Sequence, residues 1–500
     1  MTNIHYNEYV QLLQKAADIN NAAAVLGWDQ ETYMPPKGAG FRGRQLATLA
    51  SLSHELVTSP QMTVLLAQLK ADTDLDELQK ANVQRSHEDH EKNTKLPPEF
   101  VEELSLLTSE CFNAWIEARR KNDFSLFAPS LTKMVALKRR QAELYGYTAH
   151  PYDALVDEYE PGANVAMLDR LFDGIKQQLP PILAAIKAAP QVRDDFFSRH
   201  YPRPQQWDFS VSVLQAMGYD MEAGRQDISE HPFSTSFAPT DVRVTTRVDE
   251  HNYASLLWST IHEGGHALYE QGLPEEQYGL PLGAAASLGI HESQSRLWEN
   301  CIGRSKGFWQ HFYPQLQATF PQQLADVTAT DIYKACNKVA PSFIRTEADE
   351  VTYHFHVLIR YEIEKRLIEG SLLVADLPTA WNEAYQHYLG ITPPDHKTGV
   401  LQDVHWSHGS FGYFPTYTLG SFYAAQFYAK AQEAIPTLLA DVAAGKFDGL
   451  LAWLRTNIHR HGRRYYSDDL CQLVTGKKLD TGYFMNYAKQ KYTDIYGINF

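Results

Sequence analysis

The chain has 500 residues and a formal charge of −15 at pH 7. A chain of this length can bury a large core. Its acidic balance argues against nucleic acid as a partner, since such partners call for a basic surface. Four cysteines stand far apart with no C-x-x-C pair, the pattern of buried thiols in a reducing compartment.

The first twenty residues, "MTNIHYNEYVQLLQKAADIN", lack the apolar core of a signal peptide. No run of about 18 apolar residues follows, so no membrane span is expected. These features predict a cytoplasmic protein.

Helical periodicity dominates. Tyr9, Leu12, Leu13 and Ala16 recur at three- and four-residue spacing, which predicts a first helix. The prolines and glycines of "YMPPKGAGFRGR" predict a turn after it. Further helical segments are expected at about 41–70, 98–120, 128–145 and 165–190, with breaks at Lys121-Asn122-Asp123 and "YEPGAN". The charge-rich "KADTDLDELQKANVQRSHEDHEKNTK" reads as a solvated helix face. No repeat, low-complexity tract or Ser/Gly linker divides the chain, and a single domain over 1–500 is expected.

One region departs from this rhythm. Residues 229–249, "SEHPFSTSFAPTDVRVTTRVD", alternate apolar and polar side chains. Val242, Val244 and Thr246 would share one strand face, and Arg243, Thr245 and Arg247 the other. Pro239 suits the turn between two strands. A small sheet is therefore predicted in a mainly α protein.

Directly after it comes "STIHEGGHAL". Helical positions four apart lie on one face, so His262 and His266 can reach one cation. Glu263 falls beside that cation, where a general base would take a proton from water. Gly264 and Gly265 each cost up to about 1 kcal/mol in a helix interior. Their presence predicts a close neighbour, either a packed element or a substrate backbone.

A catalytic zinc has a third protein ligand. The candidates are Glu270, His291, Glu292 and Glu299. Glu270, one turn beyond His266 on the same helix, suits an orienting role better than ligation. A second helix opening near residue 290, "GIHESQSRLWEN", would present Glu292 to the ion. Glu299, two turns on, lies near the same face and suits holding a ligand histidine. A structural metal in a binding protein would call for four protein ligands, often cysteines, and none lies near His262 in sequence.

The motifs together resemble the carboxypeptidase Taq family of metallocarboxypeptidases. The resemblance is carried by "GWDQETYMPPKGAGFRGR", "HPF" at 231–233, "DVRVT" at 241–245 and "HEGGH" at 262–266. It continues in "HESQ" at 291–294, "IRTEAD" at 344–349, "GVLQDVHW" at 399–406 and the C-terminal "DLCQLVTGKKLDTGYFMNYAKQKY". It implies a mostly helical, neurolysin-like fold with a deep active-site groove. It also implies a metal held by His262, His266 and Glu292, release of single C-terminal residues from peptides with broad specificity, and a homodimer. The ion expected is one Zn2+, with Co2+ and Mn2+ also compatible with such ligands.

Hydrolysis of a peptide also needs donors for the tetrahedral oxyanion. "DVHWSHGSFGYFPTYTLG" offers His405, His408, Tyr413 and Tyr417. Of these, His405 and Tyr417 are the preferred donors, with His408 and Tyr413 left to substrate binding. A free C-terminus calls for arginine, whose planar fork binds both carboxylate oxygens. The candidates are Arg243 and Arg345, the latter expected to open a long helix; the family resemblance implies that both lie at the groove, Arg243 near its closed end. The competing reading of each is an ion pair, with Asp241 or Asp349 respectively. An endo-acting oligopeptidase is the alternative function, and it would not need the C-terminal carboxylate.

Overall fold

The computed structural model describes residues 3–500, and most of them are helical. They gather into two compact units, each assembled from separate chain segments. One unit holds the chain up to Asn93, Arg193–Cys336 and Tyr423–Leu479. The other holds Thr94–Val192, Asn337–Phe422 and Asp480–Phe500.

The first unit opens with α1 (Ile4–Thr32), capped by the Asn3 side chain, which accepts from the Tyr6 N–H. The turn after it is shorter than its glycines suggest, because α2 (Ala39–Val57) starts inside "GAGFRGR". The Arg42 guanidinium pairs with Asp29 at 2.7 Å and so clamps α2 onto α1.

Later in this unit, α3 (Arg203–Ala216) precedes a three-stranded sheet. Its strands are β1 (Gly224–Ile228), β2 (Ser234–Ala238) and β3 (Asp241–Thr246), in the order β1-β3-β2. β2 and β3 run antiparallel through the expected turn at Pro239, whereas β1 pairs with β3 in parallel. Val242, Val244 and Thr246 are buried as the alternation predicts. Thr245, assigned to the other face, is buried too. The reason is local: its hydroxyl donates to the Phe233 carbonyl and accepts from the Phe233 N–H, tying the His231–Phe233 segment to the sheet. Arg247 lies beyond the end of β3.

The sheet leads into α4 (Tyr253–Glu270), which carries both histidines of "HEGGH". Apolar and small residues cover most of its circumference, as expected of a helix inside a core. α5 (Leu288–Arg296), capped by the Ser287 hydroxyl on the Ile290 N–H, packs against it. Beyond Arg296 the helix widens to a π turn over Leu297–Gly303, in which the Arg304 N–H donates to the Glu299 carbonyl five residues back.

The two glycines of α4 serve different neighbours. A Cβ on Gly265 would lie 2.7 Å from the Ser295 Cα and 2.8 Å from the Gln294 carbonyl oxygen, both backbone atoms of α5. A Cβ on Gly264 would meet the Leu214 Cδ1 of α3 at 2.6 Å and the Met217 Cε at 3.3 Å, the ends of flexible side chains. Gly265→Ala must therefore push two helices apart and is expected to cost about 1–3 kcal/mol. Gly264→Ala is expected to cost clearly less, because its neighbours can rotate and alanine is the better helix former by up to about 1 kcal/mol. Denaturant midpoints of the two variants check this; equal losses would contradict it.

In the second unit, α6 (Tyr353–Glu369) is almost wholly buried. It does not begin at Arg345 as the sequence suggests. Arg345–Glu347 form a separate 3-10 turn. The Asp349 carboxylate then accepts the N–H groups of Val351 and Thr352, each at 2.9 Å, and sets the true start. The "DVHW" segment forms a 3-10 turn at His405–His408, and α7 (Pro415–Ala434) begins after Phe414.

Candidate functional site

Two helices build the first cluster. Two turns of α4 present His262 and His266 side by side, with ring centroids 4.9 Å apart. Because Gly265 lets α5 approach, Glu292 reaches both: its Oε2 lies 3.6 Å from His262 Nε2 and 3.3 Å from His266 Nε2. Among the described residues these three form the one His/Cys/Asp/Glu group whose ligand atoms all lie within 4.8 Å of one another.

The set fits a divalent ion. Two imidazole nitrogens and one carboxylate oxygen are the donors of a catalytic zinc-type site. A tetrahedral ion with ligands at about 2.1 Å separates neighbouring ligand atoms by about 3.4 Å. The two measured Glu292 separations bracket that value.

Around this set lies a shell of charged groups. His262 Nδ1 is 2.8 Å from Glu299 Oε2. Glu299 in turn accepts from Arg304 at 2.8 Å and from Arg296 at 3.3 Å. Glu292 accepts from the Ser295 hydroxyl at 2.9 Å and from Arg296 Nε at 2.7 Å. Burial works to raise both carboxyl groups. For Glu292, Arg296 and the two imidazoles outweigh it; for Glu299, Arg296, Arg304 and His262 do. Both carboxyls are held well below the ordinary range. His266 is pushed down to about 3, by burial first, and so stays neutral. His262, between two carboxylates, is raised despite its burial.

Glu263 is buried beside these residues, and burial raises its carboxyl pKa. Its side chain meets Ser234 of β2, and that of Glu270 meets Ser236 two residues along the same strand. Two hydroxyls of the sheet thus lie close to acids of α4. His291 bridges His266 and Glu270 rather than joining the ligand set.

The arginine of "DVRVT", Arg243, makes the ion pair that was its competing reading. It donates to Asp241 at 2.9 and 2.8 Å and stacks on Trp28 at 4.4 Å. Arg345, in the second unit, pairs not with Asp349 but with Asp403, at 3.0 Å. Asp403 also receives the buried Arg360 at 2.6 Å, so two guanidiniums share one carboxylate.

Beside them His405 Nε2 lies 3.1 Å from the Tyr417 hydroxyl. The Tyr413 ring is 5.2 Å from His405 and 5.3 Å from Tyr417, and the Arg345 guanidinium is 4.7 Å from the Tyr417 ring. His405 is pushed down to about 3, by burial and then by Arg345, and is neutral. His408 does not join them; it is exposed and packs on Phe112 at 5.0 Å. Arg360 escapes a motif search because it sits in the middle of a helix, and Asp403, although inside "GVLQDVHW", is an acceptor that a search for donors passes over. Arg296 is more accessible to such reasoning, because it stands four residues after Glu292.

Two adjacent imidazoles, a carboxylate within reach of both and a buried acid beside them are groups from which a metallohydrolase centre could be built. A family model for carboxypeptidase Taq (M32) metallopeptidases matches residues 8–492, and the chain belongs to that family. It is 41% identical to carboxypeptidase 1 of Bacillus subtilis (strain 168), over 98% of each chain. It is 42% identical to thermostable carboxypeptidase 1 of Thermus thermophilus, over 98% of this chain and 99% of that one. The crystal structure of the M32 carboxypeptidase from Deinococcus radiodurans R1 matches with a TM-score of 0.97 and 41% identity, covering 99% of this chain and all of that one. The protein is a metallocarboxypeptidase, a hydrolase of peptide bonds that works with a divalent ion. The relatives do not favour the endo-acting alternative. Among the described residues no helix is long and apolar enough to cross a membrane.

Proposed function

We propose that the protein removes single residues from the free C-termini of peptides with broad specificity, using one ion held by His262, His266 and Glu292, and that this ion is zinc. The observation that carries the reading is the convergence of the three ligand atoms. Such an ion supplies Lewis acidity, lowering the pKa of water toward 7 and polarising the scissile carbonyl.

The chain's own groups do the rest. Glu263 takes the proton of the attacking water and passes it to the leaving amine. Its burial supports this, because a carboxylate raised toward working pH accepts and returns a proton more readily. Glu299 holds the Nδ1 proton of His262 and thereby turns Nε2 to the ion. His405 and Tyr417 serve the developing oxyanion as a pair: neutral His405 donates its Nε2 proton to the Tyr417 oxygen, and the Tyr417 hydroxyl proton goes to the oxyanion. Tyr413 packs against both and lines the substrate; His408, apart from them, has the weakest support of the four.

Arg345 and Arg243 are the readers of the substrate's carboxylate. Charge balance supports Arg345 more strongly: Arg243 is matched one to one by Asp241, whereas Arg345 and Arg360 share Asp403 and leave one positive charge over. The two units are proposed to act as one catalytic domain, since the family match includes segments of both. A cytoplasmic homodimer completes the reading. In support of that compartment, the four cysteines are all buried and form no disulfide among the described residues.

Substrate comparison tests the carboxylate assignment. A charge-assisted hydrogen bond of this kind contributes about 1.5–3 kcal/mol. Arg345→Ala is therefore expected to lower kcat/KM on free-acid peptides by about 10- to 150-fold. It should leave any residual cleavage of amidated peptides nearly unchanged, and lysine should rescue poorly. Equal losses on acid and amide in both Arg345→Ala and Arg243→Ala would show that neither arginine reads the C-terminus.

A further inference from the structure

His291 precedes Glu292 in α5, but its ring reaches back to α4. Its Nδ1 lies 2.5 Å from His266 Nδ1, and its Nε2 lies 2.8 Å from Glu270 Oε1. Ser236 of β2 lies beside Glu270. We propose that His291 is a positioning residue, an imidazole bridge through which Glu270 fixes the tautomer and orientation of His266. The inference rests on reading His262, His266 and Glu292 as the metal ligands.

The protons decide the direction of the bridge. For His266 to offer a lone pair at Nε2, toward Glu292, its single ring proton must sit on Nδ1. That N–H has one partner, His291 Nδ1, which must then be bare. His291 therefore carries its own proton on Nε2, and that N–H donates to Glu270. Glu270 ends the chain because an ionised carboxylate only accepts. Each donor meets one acceptor, and the opposite order would protonate the ligand nitrogen of His266.

The two ligand histidines are thus braced unequally. His262 donates straight to the carboxylate of Glu299, which two arginines hold. His266 donates to a neutral imidazole, a weaker acceptor than a carboxylate. The bridge ties α5 back to α4 at two points, His266 and Glu270. Outer partners of a ligand histidine contribute about 10- to 100-fold in metal affinity.

The test is zinc affinity of the full-length protein by chelator competition, with circular dichroism to confirm folding. His291→Leu removes both contacts and is expected to bind zinc about 10- to 100-fold more weakly. His291→Asn keeps an amide oxygen in place of Nδ1, so it should bind closer to wild type than the leucine variant does. Glu270→Ala should weaken binding in the wild-type background and add nothing in the His291→Asn background, where the link is already cut. Unchanged affinity in a folded His291→Leu, or additive losses in the Glu270/His291 pair, would overturn the bridge. The Asn-based cycle decides the matter if the leucine variant does not fold. His262→Ala in the same assay separates the two readings. If it binds zinc like wild type, the ligand assignment fails and the bridge with it. If it loses zinc while the His291 variants do not, only the bridge fails.

Discussion

Glu263→Gln is expected to keep its metal and lose its turnover. The glutamine has nearly the same shape, and the three ligand side chains remain, so metal analysis should still find one ion per chain. What disappears is a carboxylate able to take the proton of water and return it to the amine. Positioned acid–base groups contribute about 10²–10⁴-fold, and kcat should fall by that amount. Glu263 is buried with Ser234 beside it, so the amide can occupy the same place without opening the site. Loss of the ion, or activity within tenfold of wild type, would mean that Glu263 has another role.

Glu292→Ala and Glu299→Ala should separate metal binding from stability. Removing Glu292 deletes a ligand atom that lies 3.3 Å from His266 Nε2 and 3.6 Å from His262 Nε2. Affinity should fall by more than the roughly 10- to 100-fold expected of an outer partner such as Glu299. Stability should rank the other way. Glu299 lies between Arg296 and Arg304, both largely buried; its loss takes the carboxylate from Arg304, while Arg296 keeps Glu292. Breaking such an arrangement costs about 3–5 kcal/mol. After Glu292→Ala, both guanidiniums still have Glu299. Chelator competition and denaturant unfolding on the same two variants read both rankings. If Glu299→Ala lost more zinc than Glu292→Ala, the ligand assignment would have to move along the helix.

Much of this centre is legible in the sequence because helices make local spacing into geometry. Four residues separate His262 from His266, and one helical period aligns them. Glu292, Arg296 and Glu299 follow on the next helix at intervals of four and three, so one face carries them all. The double glycine also speaks for itself as a close approach, although only the structure shows that Gly265 faces the α5 backbone and Gly264 the side chains of α3. The parts that stay hidden depend on distant pairing. β1 pairs with β3 in parallel across a long connection, and its five residues "GRQDI" have no alternation strong enough to mark it. Asp403 joins Arg345 and Arg360 from far along the chain, and no spacing rule links them. The start of α6 is obscured by Asp349, whose carboxylate holds Val351 and Thr352 in a turn ahead of the helix, where helical composition already runs. The π turn brings Arg304 onto Glu299 five residues later, a step that a regular helix would not take.

The central claim is that this chain releases residues one at a time from a free C-terminus and that the ion at His262, His266 and Glu292 is required. The most direct measurement follows one peptide and its C-terminal amide by mass spectrometry, with metal-stripped protein and with the same protein reloaded with zinc. The expected result is a ladder of single-residue losses from the free acid with reloaded protein only, and no loss from the amide. Internal fragments from the amide at a rate matching the acid, or an undiminished ladder from the stripped protein, would contradict it.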